Sequence, residues 1–277
     1  MLDESLRKFQ RNLTDLPDGS SSLEGAWNGL DDLFDYGGIT IEEAMRRTSE
    51  WRKAVKGSIE PDVAEAMILR DWAYAARGHG YASSVSAQAM QMYLARAAMA
   101  QAGLQDMERS AANDPMWYVL SIGISRDLSV PLENQRVIFD RGMAKYPGYA
   151  PLYRQMLTSL MPRWGGSKQQ VDEFIRTVAK TPMAYADLYR IYGNLEGDDY
   201  SVIENQDPDP DLLKQGMQQL IERHPRSNYI LNSVARMACS GQEFYFYRNI
   251  RTKLQGHVSL AAWPDKLSVA SCNKWNS

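Results

Sequence analysis

Residues 114–153 read DPMWYVLSIGISRDLSVPLENQRVIFDRGMAKYPGYAPLY and contain one copy of a repeated pattern. A proline followed by an aromatic residue begins the stretch, at Pro115 and Trp117, and the same combination returns at Pro151 and Tyr153. Trp117 and Tyr153 are 36 residues apart. Backbone N–H groups in the first turn of a helix have no partner within the helix. Proline, which lacks this N–H, therefore suits that position. Each string therefore predicts the start of a helix.

The pattern occurs twice more along the chain, at Pro182 with Tyr185 and at Pro225 with Tyr229. Tyr153 and Tyr229 are 76 residues apart, close to twice the first spacing. The repeating unit is therefore a pair of helices of about 35–40 residues, near the length of the tetratricopeptide repeat. Such a pair has an apolar face that it cannot cover alone, so successive pairs stack. The sequence predicts an all-α fold, a right-handed solenoid of antiparallel helix pairs.

Two further helices are predicted ahead of these repeats. Residues 61–76 carry apolar side chains at three- and four-residue steps, which line one face of a helix. Residues 85–110 form a long stretch rich in Ala and Met, which have high helix propensity. Its apolar stripe consists of Met90, Tyr93, Leu94, Ala97, Ala98 and Leu104. We expect the stripe to lie in the core, although methionines at helical spacing also suit an adaptable binding surface.

The chain is predicted to consist of an N-terminal segment, residues 1–57, and a helical-repeat body, residues 58–277. Within the first segment, residues 24–38 are acidic and aromatic, and they form either a flexible arm or a cap over the first helix pair. The side chains that favour a packed cap are Trp27, Leu30, Leu33 and Phe34. Burial of such large apolar groups is favourable.

Four strings of the chain resemble a bacterial family that is catalogued as a domain of unknown function. They are ARGHGY at 76–81, DPMW at 114–117, YPGY at 146–149 and, most specifically, LMPRWGGS at 160–167. The residues that carry the resemblance are Arg77, Gly78, Gly80, Trp117, Pro162, Arg163, Trp164, Gly165, Gly166 and Ser167. The resemblance covers roughly residues 60 to 180 and implies a bacterial helical-repeat protein. It also implies a link to secreted antibacterial toxins, because relatives of this sort are sometimes encoded beside them.

The string at 162–167 has two interpretations. Glycines ahead of a helix N-terminus can present N–H groups to an anion, as in a phosphate site. Alternatively, Gly165 and Gly166 supply positive φ angles that end one helix, and Ser167 caps the next. In that interpretation, which we favour, Trp164 fills the turn and Arg163 binds exposed carbonyl groups.

The string at 77–81 also predicts a turn. Gly78 and Gly80 end the preceding helix, and Ser83 or Ser84 begins the next one.

Motifs for catalysis or metal binding are not found in the sequence. His79, His224 and His257 have no second histidine or carboxylate at metal-ligand spacing. Neither Cys239 nor Cys272 belongs to a nucleophile signature. We therefore predict no catalytic residues, no metal and no cofactor, and we expect a protein that is not an enzyme.

The two cysteines are expected to be free thiols, because cytoplasmic thiols are kept reduced. The cytoplasmic location is itself predicted from two observations. The first eight residues read as an amphipathic helix rather than as an apolar signal segment. No run approaches the roughly 18 consecutive apolar residues of a membrane span. A disulfide between the two cysteines, if formed, would close a loop of roughly 30 residues and stabilise the fold by about 3 kcal/mol.

Net charge disfavours nucleic acid as a partner. The chain carries a formal charge of −3, so it has no bulk positive field to attract phosphate backbones. A protein partner is expected instead, and no membrane contact.

Residues 196–211 form an acidic insertion that interrupts the repeats, with seven carboxylates and two prolines. Insertions in repeat arrays often mark the binding face. The predicted partner-binding residues are Asp198, Asp199, Tyr200, Glu204, Asp207, Asp209 and Asp211. Alternatively the loop is only solvated and Asp211 caps the next helix. Calcium is not expected, because prolines separate the last three aspartates and Gln218 replaces the glutamate ligand.

The leading hypothesis is an immunity protein that binds and neutralises a cognate secreted antibacterial toxin, such as a type VI secretion effector with nuclease activity. The acidic patch would steer a basic toxin, and exposed aromatics such as those of residues 244–248 would anchor it. The alternative is a general interaction scaffold or chaperone adaptor. A third hypothesis is a hydrolase, which would need a pocket with two close carboxylates of raised pKa.

Overall fold

The structure is a computed structural model that describes residues 2–11, 13, 16, 19–35, 38–78, 82–195, 208–263 and 269–274. Over these ranges the chain is helical and contains no β-strand, which confirms the predicted all-α class. The helices are α1 (Leu2–Arg11), α2 (Ser22–Asp35), α3 (Ile41–Ala54), α4 (Glu60–Arg77), α5 (Ala87–Asp106), α6 (Glu108–Ala111), α7 (Pro115–Asp127), α8 (Leu132–Lys145), α9 (Ala150–Leu160), α10 (Lys168–Val178), α11 (Pro182–Leu195), α12 (Pro210–Arg223), α13 (Asn228–Ser240), α14 (Phe244–Leu254) and α15 (Val269–Lys274). None of these helices has the length and apolar character that a membrane crossing requires.

The chain folds as two compact units. Unit 1 contains residues 1–14 and 21–156, and unit 2 contains residues 15–20 and 157–277. The division falls inside α9, and α1–α3 belong to the same unit as α4–α8. The sequence predicted a different division, with an N-terminal cap that ends at residue 57.

The proline and aromatic strings begin helices as predicted. Pro115 and Pro182 are the first residues of α7 and α11, and α9 and α13 begin at Ala150 and Asn228. In front of α7, the Asp114 carboxylate accepts a hydrogen bond from the Met116 N–H at 2.8 Å. This N-cap satisfies a donor that has no partner within the helix.

The start of α5 differs from the prediction. Its N-cap is Ser86, whose hydroxyl accepts from the Ala89 N–H at 3.2 Å, whereas Ser83 and Ser84 lie in a short 3₁₀ turn. At the other end of this connection, Gly78 ends α4 with a φ of 72°. Gly80 lies outside the described residues.

The 162–167 string is a structural turn in unit 2. Pro162–Trp164 forms a 3₁₀ turn, and the Ser167 hydroxyl caps α10 by accepting from Gln170 N–H at 3.2 Å. Arg163 donates to the carbonyl of Leu195 at 3.0 Å and so holds the end of α11. Trp164 is half-buried.

The two glycines of the string have different roles, which corrects the prediction. Gly165 has a φ of 89°, in the left-handed region that favours glycine. Gly166 is not among the glycines with positive φ. A Cβ on Gly166 would lie 2.0 Å from the backbone oxygen of Leu160, so close approach of two backbone segments requires glycine there.

The core of unit 1 is centred on α7, of which every residue is buried. Trp117 donates through Nε1 to the carbonyl of Leu104 on α5 at 2.9 Å. On the opposite side, a Cβ on Gly142 of α8 would lie 3.0 Å from the Tyr118 ring. The pair of aromatics that opens the repeat therefore packs between α5 and α8.

Cys239 and Cys272 form a disulfide in unit 2, so the prediction of free thiols is wrong. Their Cα atoms are 5.9 Å apart, and both residues are fully buried. Cys239 lies near the end of α13 and Cys272 lies in α15. The bridge ties the last helix of the chain to the core of its unit.

Candidate functional site

The acidic insertion lies largely outside the described residues. Residues 196–207, which include Asp198, Asp199, Tyr200, Glu204 and Asp207, are not described. Asp209 is the N-cap of α12 and accepts from the N–H groups of Asp211 and Leu212 at 3.1 and 3.0 Å. The cap is therefore Asp209 and not Asp211, which is exposed in the first turn.

Three buried carboxylates of unit 1 belong to one hydrogen-bond network. The Ser58 hydroxyl bonds to Asp3 and to Glu60. The Gln10 amide donates to Asp114 at 2.7 Å and to Glu60 at 3.5 Å. These contacts join α1 to the start of α4 and to the start of α7. The carboxylates therefore hold three helices together.

Burial raises the pKa of Asp114 to about 7. The nearby Glu60 raises this pKa further, whereas the bonds from the Met116 N–H and from Gln10 lower it. Desolvation is the largest of these influences, because the carboxyl is fully buried. The folded state therefore binds a proton at this carboxyl more tightly than the unfolded chain does.

Replacement Asp114→Asn tests this coupling between protonation and folding. A raised folded-state pKa gives stability that is fully present below about pH 4 and lost as the pH rises through about 7. Asparagine keeps the helix cap and carries no charge. We expect the variant to match the wild type near pH 4.5 and to exceed its free energy of unfolding by about 2–3 kcal/mol at pH 8.

Chemical denaturation across this pH range is the measurement. Asp209→Asn is the control. It measures how much stability changes when an amide replaces the carboxylate of an N-cap. The prediction is contradicted if the free energies of unfolding of Asp114→Asn and the wild type differ by the same amount at every pH from 4.5 to 8.

Helix α5 presents an apolar ridge on unit 1. The ridge consists of Met92 and Met99, which lie seven residues apart on one face of the helix and are 40% and 53% exposed. Leu94 is 40% exposed as well, but it lies two residues from Met92 and therefore on another face. Tyr93, Ala97 and Leu104 are buried as predicted, but Leu94 and Ala98 of the predicted core stripe are exposed. Part of the Ala- and Met-rich face therefore lies on the surface.

The ridge carries little charge. Arg96 and Asp106 are the charged residues of α5. Arg96 stacks over the Trp72 ring, with its guanidinium carbon 3.7 Å from the ring centroid, and donates to the Trp72 carbonyl at 2.6 Å. An exposed helix face with methionines and almost no charge is typical of an interaction surface.

Two grooves flank the second half of α5. The first, the α4–α5 groove, has a volume of about 550 Å³. It is lined by Met45, Arg52, Asp62, Glu65, Ala66, Leu69, Met99, Gly103, Asp106, Met107 and Ser110. Its lining includes three methionines and four charged side chains. Long flexible thioether side chains adapt to a partner of irregular shape.

The rim of the α4–α5 groove is acidic. It contains the carboxylates of Asp62, Glu65 and Asp106 against the single guanidinium of Arg52. Arg52 forms ion pairs with Asp62 and with Glu65. The local charge is therefore net negative, and Asp106 is exposed at the edge of the apolar ridge.

The second groove, the α5–α8 groove, has a volume of about 410 Å³ and is mostly apolar. It lies on the other side of α5, between Leu104 and the side chains of Val137 and Ile138 on α8. Val137 is 59% exposed. Trp117, the aromatic that opens the repeat, contributes to the same wall.

The aromatic cluster at the start of α14 is divided between core and surface. Tyr247 is buried, whereas Tyr245 is 76% exposed. Phe244 and Phe246 are half-buried. One of the four predicted anchors is thus available on unit 2. Among the described residues, no group of three or more His, Cys, Asp or Glu side chains is arranged to hold a metal ion.

For the α5 stripe, the sequence favoured packing in the core and left an adaptable binding surface as the alternative. Its signal was present in the sequence as a 20-residue helix with two charged residues, but periodicity alone does not tell an exposed apolar face from a buried one. Comparisons of the chain with protein-family models, with curated proteins and with solved structures gave no match. The family resemblance of the sequence therefore stays a prediction.

Proposed function

We propose that this chain is a protein-binding helical-repeat protein, and specifically an immunity protein that binds and neutralises a cognate secreted toxin. The proposal includes the solenoid arrangement of antiparallel helix pairs. The observation that carries it is the exposed apolar ridge of α5 beside an acidic groove. Exposed apolar surface with a polar rim is the usual composition of a protein interface.

The partner surface that fits this site is a basic amphipathic segment. Its apolar side chains would pack on Met92 and Met99, and its lysines or arginines would meet the carboxylates of the groove. Complementary charge mainly accelerates association, whereas buried apolar anchors slow dissociation. A toxin that acts on nucleic acid is one basic protein of this kind.

Isolation of the tagged protein from its own bacterium tests the proposal. We expect one stoichiometric partner encoded at the same locus, and we expect that expression of this chain protects cells from that partner. Several weak partners without protection would instead support the alternative function, an interaction scaffold or chaperone adaptor.

Two variants then test the ridge. We expect Met99→Ser to weaken the complex about tenfold, chiefly through faster dissociation, because it removes an apolar anchor. We expect Asp106→Lys to slow association several-fold, and the difference from the wild type to shrink as salt is added. Glu133→Lys on α8 is the matched control, since Glu133 is an exposed acidic residue that does not line either groove. If both ridge variants associate and dissociate at wild-type rates, α5 is not part of the proposed interface.

The disulfide bears on where such an interaction takes place. Disulfides persist in oxidising compartments such as the bacterial periplasm and are rare in the cytoplasm. The bond between Cys239 and Cys272 therefore favours an oxidising compartment over the cytoplasmic location expected from the sequence.

A further inference from the structure

A connected group of polar side chains, the Arg236 cluster, joins α11 to α13 in unit 2. Arg190 donates through Nε to Asp187 at 2.7 Å, and its guanidinium carbon lies 5.6 Å from the centroid of the Tyr229 ring. The Asn194 amide donates to the Tyr229 hydroxyl at 2.7 Å and accepts from Nη2 of Arg236 at 2.7 Å. One amide group therefore holds the phenol and the second guanidinium close to each other.

The cluster contains more positive than negative charge. Arg190 and Arg236 are both 7% exposed. Arg190 forms an ion pair with Asp187, whereas Arg236 has no carboxylate partner among the described residues and bonds only to the Asn194 oxygen. A buried charge without a counterion is strongly unfavourable. One positive charge of the cluster therefore lacks a counterion.

This second guanidinium stays charged at neutral pH. Burial is the main reason that the pKa of Arg236 falls to about 10. Tyr229 acts in the opposite direction, and the like charge of Arg190 lowers this pKa further. A pKa of about 10 still leaves the group almost fully protonated at pH 7. The two positive charges thus repel each other, and an anion bound beside them would relieve the repulsion.

Several donors of the cluster have no acceptor in the described part of the chain. Nε and Nη1 of Arg236 form no hydrogen bond there, and neither atom is closed off from solvent. The Tyr229 hydroxyl accepts from Asn194 and keeps its own hydrogen for another acceptor. Tyr229 and Arg236 lie seven residues apart on one face of α13, so their donors suit the same ligand.

The charge and the donors together select the chemistry of that ligand. A carboxylate carries one negative charge, which matches the one unbalanced guanidinium, and its two oxygens accept from guanidinium and hydroxyl groups. A phosphate dianion would leave one negative charge in excess. A cation would be repelled by both Arg190 and Arg236.

We propose that the Arg236 cluster is a binding site for the carboxylate group of a small organic acid. Arg236 and Tyr229 bind its oxygens, and Asn194 positions both side chains. The inference is independent of the proposed toxin binding, because the cluster belongs to unit 2 and shares no residue with the grooves beside α5.

Thermal unfolding of the full chain in sodium acetate and in sodium chloride tests the proposal. We expect about 100 mM acetate to raise the melting temperature of unit 2 by about 3 °C over chloride at the same concentration. We also expect a saturable signal for acetate in isothermal titration calorimetry. Acetamide, which has the shape of acetate without its charge, should do neither. The proposal is overturned if acetate stabilises no more than chloride or acetamide, because the charge of Arg236 would then be balanced within the protein.

Two substitutions give a second readout. We expect Arg236→Met to lose the effect of acetate and to be at least as stable as the wild type in chloride, because methionine removes a buried charge that has no counterion. We expect Tyr229→Phe to weaken acetate binding about threefold or more, because it removes one hydrogen-bond donor. Wild-type affinity for acetate in both folded variants would refute the assignment.

Arg251→Met is the matched control in the same unit. Arg251 lies on α14, where it donates to the carbonyl of His257 at 3.2 Å, and it is not part of the cluster. This variant also loses one positive charge, but we expect it to keep the full effect of acetate. An equal loss of the acetate effect in Arg251→Met and Arg236→Met would indicate a general response to charge and would overturn the proposed site.

Discussion

Gly166→Ala is expected to destabilise unit 2 by about 3–4 kcal/mol, the size of effect that follows when a substitution forces a buried backbone to move. The added Cβ would lie 2.0 Å from the carbonyl oxygen of Leu160 and 2.4 Å from its carbonyl carbon. These are backbone atoms, so no side-chain rotation relieves the clash. Leu160 and Met161 are both buried, and a shift of this segment therefore disturbs the core around the end of α9. For a domain of this size the loss corresponds to a fall of roughly 10 °C in melting temperature.

Two other glycine substitutions serve as controls for Gly166→Ala, one in the same turn and one in unit 1. Gly165→Ala meets open space but places a methyl group on a residue with a φ of 89°, so we expect a loss of about 1–2 kcal/mol. Gly148→Ala meets open space without a positive φ, and we expect a change within about 0.5 kcal/mol. Thermal and denaturant unfolding of the three variants measures the order. If Gly165→Ala and Gly166→Ala lose the same stability, the backbone φ angle, and not close approach to Leu160, is the reason that glycine is needed at position 166.

The glycine pair illustrates where prediction from the sequence succeeds. Positive φ at Gly165, the cap at Ser167 and the bond from Arg163 to a carbonyl follow from the local chemistry of the string. The helix starts at Pro115 and Pro182 follow for the same reason, because caps and prolines act within one helical turn. Signals of this kind need no knowledge of the rest of the chain.

Contacts between distant residues were not predictable in this way. The approach of Gly166 to Leu160 depends on how the turn folds back, and the pairing of Cys239 with Cys272 depends on where α15 docks. The same reason explains the error at α5. Leu94 and Tyr93 are adjacent and both apolar, and only packing against α4 determines that one is exposed and the other buried.

The candidate sites show a similar division. The acidic insertion was recognised from composition, but residues 196–207 lie outside the described residues, so its docking role stays a prediction. The groove beside α5 combines residues from several helices. The spacing of these residues in the sequence does not predict that they lie together. Trp27 was expected to favour packing over a flexible arm, and its side chain is fully buried.

Removal of the disulfide by the double substitution Cys239→Ala and Cys272→Ala is expected to lower the free energy of unfolding of unit 2 by about 3–4 kcal/mol. The two residues are 33 positions apart, and in the chain-entropy account a cross-link of this length restricts the unfolded chain by that amount. Alanine is used because a serine at the fully buried position of Cys239 would add an unpaired hydroxyl. Unit 1 contains neither cysteine and should unfold as before.

A reducing agent provides the internal control. We expect dithiothreitol to lower the unfolding midpoint of the wild type toward that of the double variant and to leave the variant itself unchanged. In intact cells, we expect both cysteines to resist alkylation by a membrane-permeant maleimide, because a chain held in an oxidising compartment keeps the bond. Full alkylation of both thiols would mean that the bond is absent in the cell, and it would favour the cytoplasmic location. The cellular result thus also bears on the proposed function, since the proposed toxin would have to be present in the compartment where this chain folds.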